Sequence, residues 1–265
     1  MKNQVLALSL GLMSVMTFGQ KKELRTAEKA IKNSEFAAAL TSVNAVNGML
    51  ETMDSKYKAN YYFLKAQAQA GINNYAAASD SFNALFEYEK EIDKERYTKD
   101  AQPMLDALIQ AVSNKSIAQY NSEDYASAAD NFYLTYKLSP KDTSFLFNAA
   151  ISASLTKKYD VSLKHYKELK EIGYTGISTE YLAVNKETGE VENLGAKSNR
   201  DTMVRIGQYT TPTENVSESK YAEIVKNIGY ILVNQGKTEE AIIALQEARN
   251  ANHKDVNLIL NEAQL

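Results

Sequence analysis

Four short polar turns in this chain each end in an aromatic residue, and each aromatic has the same kind of neighbour at the same distances. The turns are Asn33-Ser34-Glu35-Phe36, Asn73-Asn74-Tyr75, Ser122-Glu123-Asp124-Tyr125 and Lys157-Lys158-Tyr159. Three residues after each aromatic stands a small residue (Ala39, Ala78, Ala128, Ser162), and four further on a larger apolar one (Val43, Phe82, Phe132, Tyr166). Steps of three and four return to one face of a helix, so these positions form one inward stripe. Nine residues before each aromatic lies another small residue, Ala27, Ala66, Ser116 or Ala150, where a first helix must approach the second closely. A fifth copy keeps the frame without the aromatic: Gly229, the turn Gly236-Lys237-Thr238, then Ala241, Leu245 and Ala248. A chain built this way must stack helical hairpins, each covering the apolar flank of the last.

This spacing resembles the tetratricopeptide repeat, a 34-residue helix-turn-helix unit, and the step from Tyr125 to Tyr159 is 34 residues. The third copy matches best, because Leu138-Ser139-Pro140-Lys141-Asp142 looks like the family's Pro-containing turn between units. The other copies lack that Pro, and the steps of 39 from Phe36 to Tyr75 and 50 from Tyr75 to Tyr125 call for longer helices or looser connections. The extra length before the third copy is read as a solvated helical extension over Glu87 to Lys99, with Glu91 spaced to meet Lys94 and Glu95 to meet Lys99. Pro103 is then placed in the first turn of a helix running to Tyr120. The fold class that the resemblance implies is an all-α solenoid of helix-turn-helix repeats with a small irregular or β-hairpin insertion.

The insertion occupies residues 173–219, where helix-pair periodicity stops and Gly173, Gly176, Gly189, Gly195, Gly207 and Pro212 accumulate. Tyr181-Leu182-Ala183-Val184 and Val191-Glu192-Asn193-Leu194 predict a short hairpin with Gly189 at a positive φ, and Asn199 to Tyr209 one helix with Met203 and Ile206 inward. Residues 20–172 thus hold repeats one to four, and 220–265 the fifth repeat and the first helix of an incomplete sixth, with Ile259, Leu260 and Ala263 inward. That sixth helix predicts either a longer array or an exposed end that docks on something.

Residues 1–19 read as a secretory signal peptide. Lys2 precedes an apolar run from Val5 to Met16, and Thr17 and Gly19 are small residues suited to cleavage before Gln20. A retained anchor needs about 18 to 20 apolar residues, more than the run supplies. The chain has no Cys, so it has no lipid-attachment site, disulfide, thiolate metal site or cysteine nucleophile. The expected location is the periplasm or cell envelope.

Catalytic patterns are lacking. The two histidines, His165 and His253, stand in no motif; His165 is expected to face solvent on the second helix of repeat four. No glycine-rich phosphate loop, GxSxG elbow or EF-hand loop occurs, and no cofactor is implied. The net charge of -3 supplies no general field for nucleic acid or anionic lipid. The chain is therefore read as a non-enzyme that binds a protein or peptide, with any membrane association made through that partner.

First helices of such repeats line a concave groove, and the resemblance places candidates there. Asn114, Asn148 and Asn227 occupy equivalent positions in copies three to five, with Lys226 beside the last. In chaperone-binding members of the family, Asn and Lys hold a C-terminal carboxylate. Here the next groove position carries Ile117, Ile151 and Tyr230 in place of a second Asn, so that clamp is not reproduced. The asparagines equally match the bare repeat consensus, which is a structural reading. On the insertion, Tyr181 and Arg200 are the contact candidates. Phe36, Tyr75, Tyr125, Tyr159, Phe82, Phe132 and Tyr166 are assigned to the core, whereas Tyr61, Tyr62 and Tyr120 are left free to reach the groove. A peptide-binding scaffold is the first functional reading, a permanent subunit of an envelope assembly the second, and the regulatory array of a longer enzyme the third.

Overall fold

The computed structural model describes residues 19–252, so the expected signal peptide (residues 1–19) up to Phe18, His253 and the expected first helix of a sixth repeat lie outside the described residues. Helices occupy residues 19–32 (α1), Phe36–Asn44 (α2), Ser55–Gly71 (α3), Tyr75–Glu91 (α4), Thr98–Asn121 (α5), Tyr125–Leu138 (α6), Ser144–Leu155 (α7), Tyr159–Glu171 (α8), Lys197–Arg205 (α9), Tyr221–Asn234 (α10) and Thr238–Ala251 (α11). A 3-10 turn covers Asn47–Met49, and strands run over Thr179–Asn185 (β1), Val191–Asn193 (β2) and Tyr209–Val216 (β3). The fold class read from the sequence is the one observed: helical hairpins interrupted by a small antiparallel sheet. The chain divides between Phe145 and Leu146 into two compact units.

Each aromatic at the end of a turn is the first residue of a second helix, and the turn before it has one backbone form in all five copies. Ser34, Asn73, Glu123, Lys157 and Gly236, two residues ahead of those helices, all have φ between 59° and 71°. The following amide reaches back five residues, as from Glu35 N to the Ala30 carbonyl (2.8 Å) and from Lys237 N to that of Leu232 (2.9 Å). Orphan carbonyls at the end of the first helix are satisfied in this way, and only the fifth copy uses the glycine that this left-handed position favours. Asn74 and Asp124 then cap the next helix, accepting from Ala77 N (3.4 Å) and Ser127 N (3.2 Å).

Behind those turns the small positions are shut from solvent: Ala27, Ala39, Ala66, Ala78, Ser116, Ala128, Ala150, Ser162 and Ala241 are all fully buried. In the fourth hairpin the helices touch so closely that the Ser162 hydroxyl donates to the Ala150 carbonyl at 2.8 Å. In the fifth, a Cβ on Gly229 would come within 2.7 Å of the Leu245 side chain. Val43, Phe82, Phe132, Tyr166 and Leu245 are buried as assigned. The leading aromatics Phe36, Tyr75, Tyr125 and Tyr159 are only half-buried, because the first turn of a second helix lies at the rim of the hairpin. Tyr61 is not free to reach a groove: it is buried in the core with Leu24, Val43 and Leu64, its hydroxyl bonded to Asn47.

In the first unit the segment after α4 departs from expectation. The chain leaves the helix at Glu91, turns through Asp93 at φ 51° and re-enters helix at Thr98, so the pairs Glu91 with Lys94 and Glu95 with Lys99 do not share a helix. Glu89 explains the early start of α5. Its fully buried carboxylate accepts from Arg96 N (2.9 Å), Tyr97 N (3.0 Å), Thr98 N (3.1 Å) and Thr98 Oγ1 (2.9 Å), capping the helix from a distance. Pro103 therefore lies inside α5 rather than in its first turn.

In the second unit α8 packs on α10 and α10 on α11, so the repeat contact resumes across the insertion. Its two ends are zipped together: Lys220 N donates to the Thr175 carbonyl (2.6 Å), Ser217 N to that of Ser178 (2.9 Å), and β1 pairs antiparallel with β3 from Thr179 opposite Val216. The sheet order is β2-β1-β3. Gly189 has the expected positive φ of 75° in the hairpin turn. The helix forecast to reach Tyr209 stops at Arg205, because Gly207 at φ 83° ends it and β3 begins at Tyr209; Ile206 is exposed rather than inward. Thr211 and Pro212 stand opposite the single residue Ala183, a bulge that admits Pro to an edge strand. His165 is 4% exposed, contrary to the solvent-facing position assigned to it, on a helix packed by α10.

Candidate functional site

The first unit carries an apolar groove along its first helices. Asn60, Phe63, Gln67 and Ala70 recur on one face of α3 and meet Glu28, Ile31 and Lys32 of α1 on one side and Met104 of α5 on the other. One cavity of about 340 Å³ is lined by Ile31, Ala70, Met104 and the rings of Phe36 and Phe82. A second of about 290 Å³ includes Glu28, Lys32, Asn60, Phe63 and Tyr97. Ile31 and Gln67 line both, so the two form one continuous depression, apolar at the Met104 end and mixed at the other, where Glu28, Lys32 and Asn60 join Phe63 and Tyr97. Gln67 Nε2 rests 3.5 Å from Met104 Sδ, and Met104 is 43% exposed, so its thioether is open to a ligand.

Two features hold the groove open. Gly71 ends α3 directly beneath the Phe36 ring, where a Cβ would lie 2.1 Å from the ring carbon, so only glycine lets that ring form the end wall. Tyr97 forms the other wall, stacked on Phe63 with centroids 4.9 Å apart, and the Glu89 carboxylate fixes the turn that carries it. Burial pushes the Tyr97 phenol up from its ordinary value, with the Glu28 charge adding to the shift. Sequence reasoning passed over Glu89 and Tyr97 because both fall in a stretch dense in mixed charge. A lone Glu nine residues ahead of a Thr gives no local signal of a cap.

The seven candidates named from the sequence fare differently. Asn114 is exposed on α5. In the second unit, Asn148 is half-buried on α7, as are Lys226 and Tyr230 on α10. Asn227 donates from Nδ2 to the Tyr166 hydroxyl (3.0 Å), tying α10 to α8. Tyr181 and Arg200 are brought together, with the guanidinium 5.4 Å from the ring centroid. Arg200 is only 6% exposed and donates to Asp201 Oδ1 (2.8 Å), the Thr213 carbonyl (3.0 Å) and Glu214 Oε1 (3.4 Å), so it fastens α9 to the sheet. Glu247 forms a second polar node, accepting from Lys170 Nζ (2.6 Å) and the Tyr221 hydroxyl and so linking α8, α10 and α11. That bond drives the Tyr221 phenol up to about 12.

No protein-family model matches this sequence, and no curated protein does so either. Solved structures resemble it at low identity. YrrB, described as a TPR protein with an unusual peptide-binding site, is 14% identical over 92% of this chain and 91% of its own, with a TM-score of 0.36. The P58(IPK) TPR domain is 11% identical over 92% of this chain and 64% of that one, TM-score 0.42. The TPR2AB domain of yeast Sti1, solved in complex with pHSP90, is 11% identical over 90% and 93%, TM-score 0.33. At identities and scores this low, the repeat assignment rests on the hairpins themselves.

Proposed function

We propose that this chain is a non-catalytic interaction scaffold of the cell envelope that takes a peptide or helix of a protein partner into the groove over α1, α3 and α5. The observation that carries the reading is the continuous depression lined by Ile31, Phe63, Ala70 and Met104 together with the amides of Asn60 and Gln67. Concave, largely apolar surfaces with a few placed amides suit an extended peptide or an amphipathic helix. Export is proposed from the Lys2 to Gly19 segment alone. A second reading, a permanent assembly subunit, draws on the insertion, where Val191, Ile206 and Val216 are 64%, 57% and 60% exposed. Crosslinked pull-down from native envelopes separates the two, using the whole chain, Met104→Asp, and a chain lacking residues 176–215. Loss of the partner with Met104→Asp alone supports the groove; loss with the deletion alone moves the contact to the insertion and overturns the first reading.

A further inference from the structure

We infer that the outer face of α1 is a docking surface for an anionic membrane, through a stripe of cations that the chain's overall charge conceals. Lys21, Lys22, Arg25 and Lys29, with Thr26 among them, line an open depression of about 540 Å³. The positions recur at helical spacing, so the charges stand roughly one turn, about 5.4 Å, apart along one side of the helix. Lys22, Arg25 and Lys29 are exposed, and among the described residues no carboxylate pairs with any of the four. The nearby Glu28 is engaged instead by Lys32, at 2.9 Å on the side that borders the groove.

The composition of the stripe decides its occupant. Among the described residues the lining is four cations and one hydroxyl, which is a surface for negative charge rather than for an apolar anchor. What remains is attraction to a surface of dispersed negative charge. With four positive charges gathered there on a chain of net -3, the rest of the molecule carries -7. Attraction of the stripe to such a surface acts over a Debye length of about 8 Å. A flexible polyanion able to wrap would meet the repelling remainder, which favours lipid over nucleic acid. In the sequence, Lys21 follows the apolar run Val5–Met16 by five residues, and the proposed cleavage before Gln20 would leave the cations at the head of the mature chain. Among the described residues no helix is long and apolar enough to cross a membrane, so the contact described is peripheral. It is independent of the groove and survives if the scaffold reading fails.

Co-sedimentation of the full chain with vesicles tests it, comparing pure phosphatidylcholine with phosphatidylcholine containing about 30 mol% phosphatidylglycerol. Each cation near an anionic surface strengthens binding about fivefold, so K21Q/K22Q/R25Q/K29Q should weaken retention on anionic vesicles by at least about a hundredfold. About 0.5 M salt should release the unaltered chain. The variant retains the apolar run, so equal retention of both chains, or equal retention on neutral vesicles, would assign binding to that run and overturn the inference. Retention of the chain on duplex DNA with none on anionic vesicles would overturn it too. If the fourfold variant melts early, K22Q/K29Q changes only exposed side chains and should still cost about twentyfold.

Discussion

The hairpin repeats and the insertion hold themselves together by different means. In the repeats the contacts are steric: alanine, serine or glycine at fixed positions lets two helices meet, and a Val, Phe, Tyr or Leu seven residues into the second helix fills the space beyond. In the insertion little is buried apart from Ala183 and Arg200, and the elements are joined by polar side chains. Arg200 bridges α9 to β3, Glu192 accepts from Asn185 Nδ2 (2.8 Å) and Tyr209 Oη (2.7 Å), and Glu180 accepts from Asn215 Nδ2 (2.9 Å). The repeats should therefore respond to volume and the insertion to lost hydrogen bonds.

Enlarging a small position is the strongest test of the first half of that contrast. Ala128→Leu should cost about 1 to 3 kcal/mol through overpacking against α5, read as a lower midpoint in urea; unchanged stability would contradict the steric account. In the insertion, Arg200→Met should cost about 1 to 2 kcal/mol, since two of its partners are half-exposed carboxylates. The loss should show as faster amide exchange in β1 and β3 with α10 and α11 unchanged, and exchange rising throughout would refute that separation. Removing residues 176–215 goes further and should leave the α8–α10 contact and helical content intact, because the ends of the insertion already meet at Thr175 and Lys220.

The Glu247 node predicts a pH response at both extremes. Tyr221, raised from the usual phenol value near 10 to about 12, contributes stability that is complete below pH 10 and lost as the pH climbs towards 12. Glu247 is held below its ordinary range: burial opposes this, but the bonds from Lys170 and Tyr221 prevail, so its contribution is present at neutral pH and fades on acidification through the carboxylate range. Discounted for solvent screening, each should be worth about 1 kcal/mol or less, and Tyr221→Phe should flatten the alkaline limb of the melting profile. The smallest effect concerns the turns. Lys157→Gly relieves a left-handed lysine at φ 59° but loosens the unfolded chain, for a net gain of a few tenths of a kcal/mol, about 0.5 at most, in thermal unfolding.

What could be read along the chain was whatever depends on neighbours a few residues apart. The hairpin frame was legible in its small residues, its turns and the starts of its second helices, and so was Gly189 in the insertion. Three features were not. The start of α5 depends on Glu89, whose carboxylate reaches across a turn to Arg96, Tyr97 and Thr98. Strand β3 contains Pro212 and no apolar alternation, and it exists because β1 lies beside it. His165 is buried although its sequence surroundings suggest exposure, on a helix that α10 reaches only after the insertion has looped out.

The candidate sites divide in the same way. A groove of first helices was foreseen, but the depression observed in the first unit lies over repeats one to three, with Ile31, Met104 and Tyr97 rather than the asparagines that the repeat frame singled out. The total charge hid the cations of α1 because a sum contains no positions. By itself the sequence determined the helical period, the hairpin turns and the small contacts, since these follow from local backbone geometry and steric size. Only the tertiary structure decided which carboxylate caps a distant helix, which arginine is internal and which apolar residues stay uncovered, because those depend on elements far apart in sequence brought within a few ångströms.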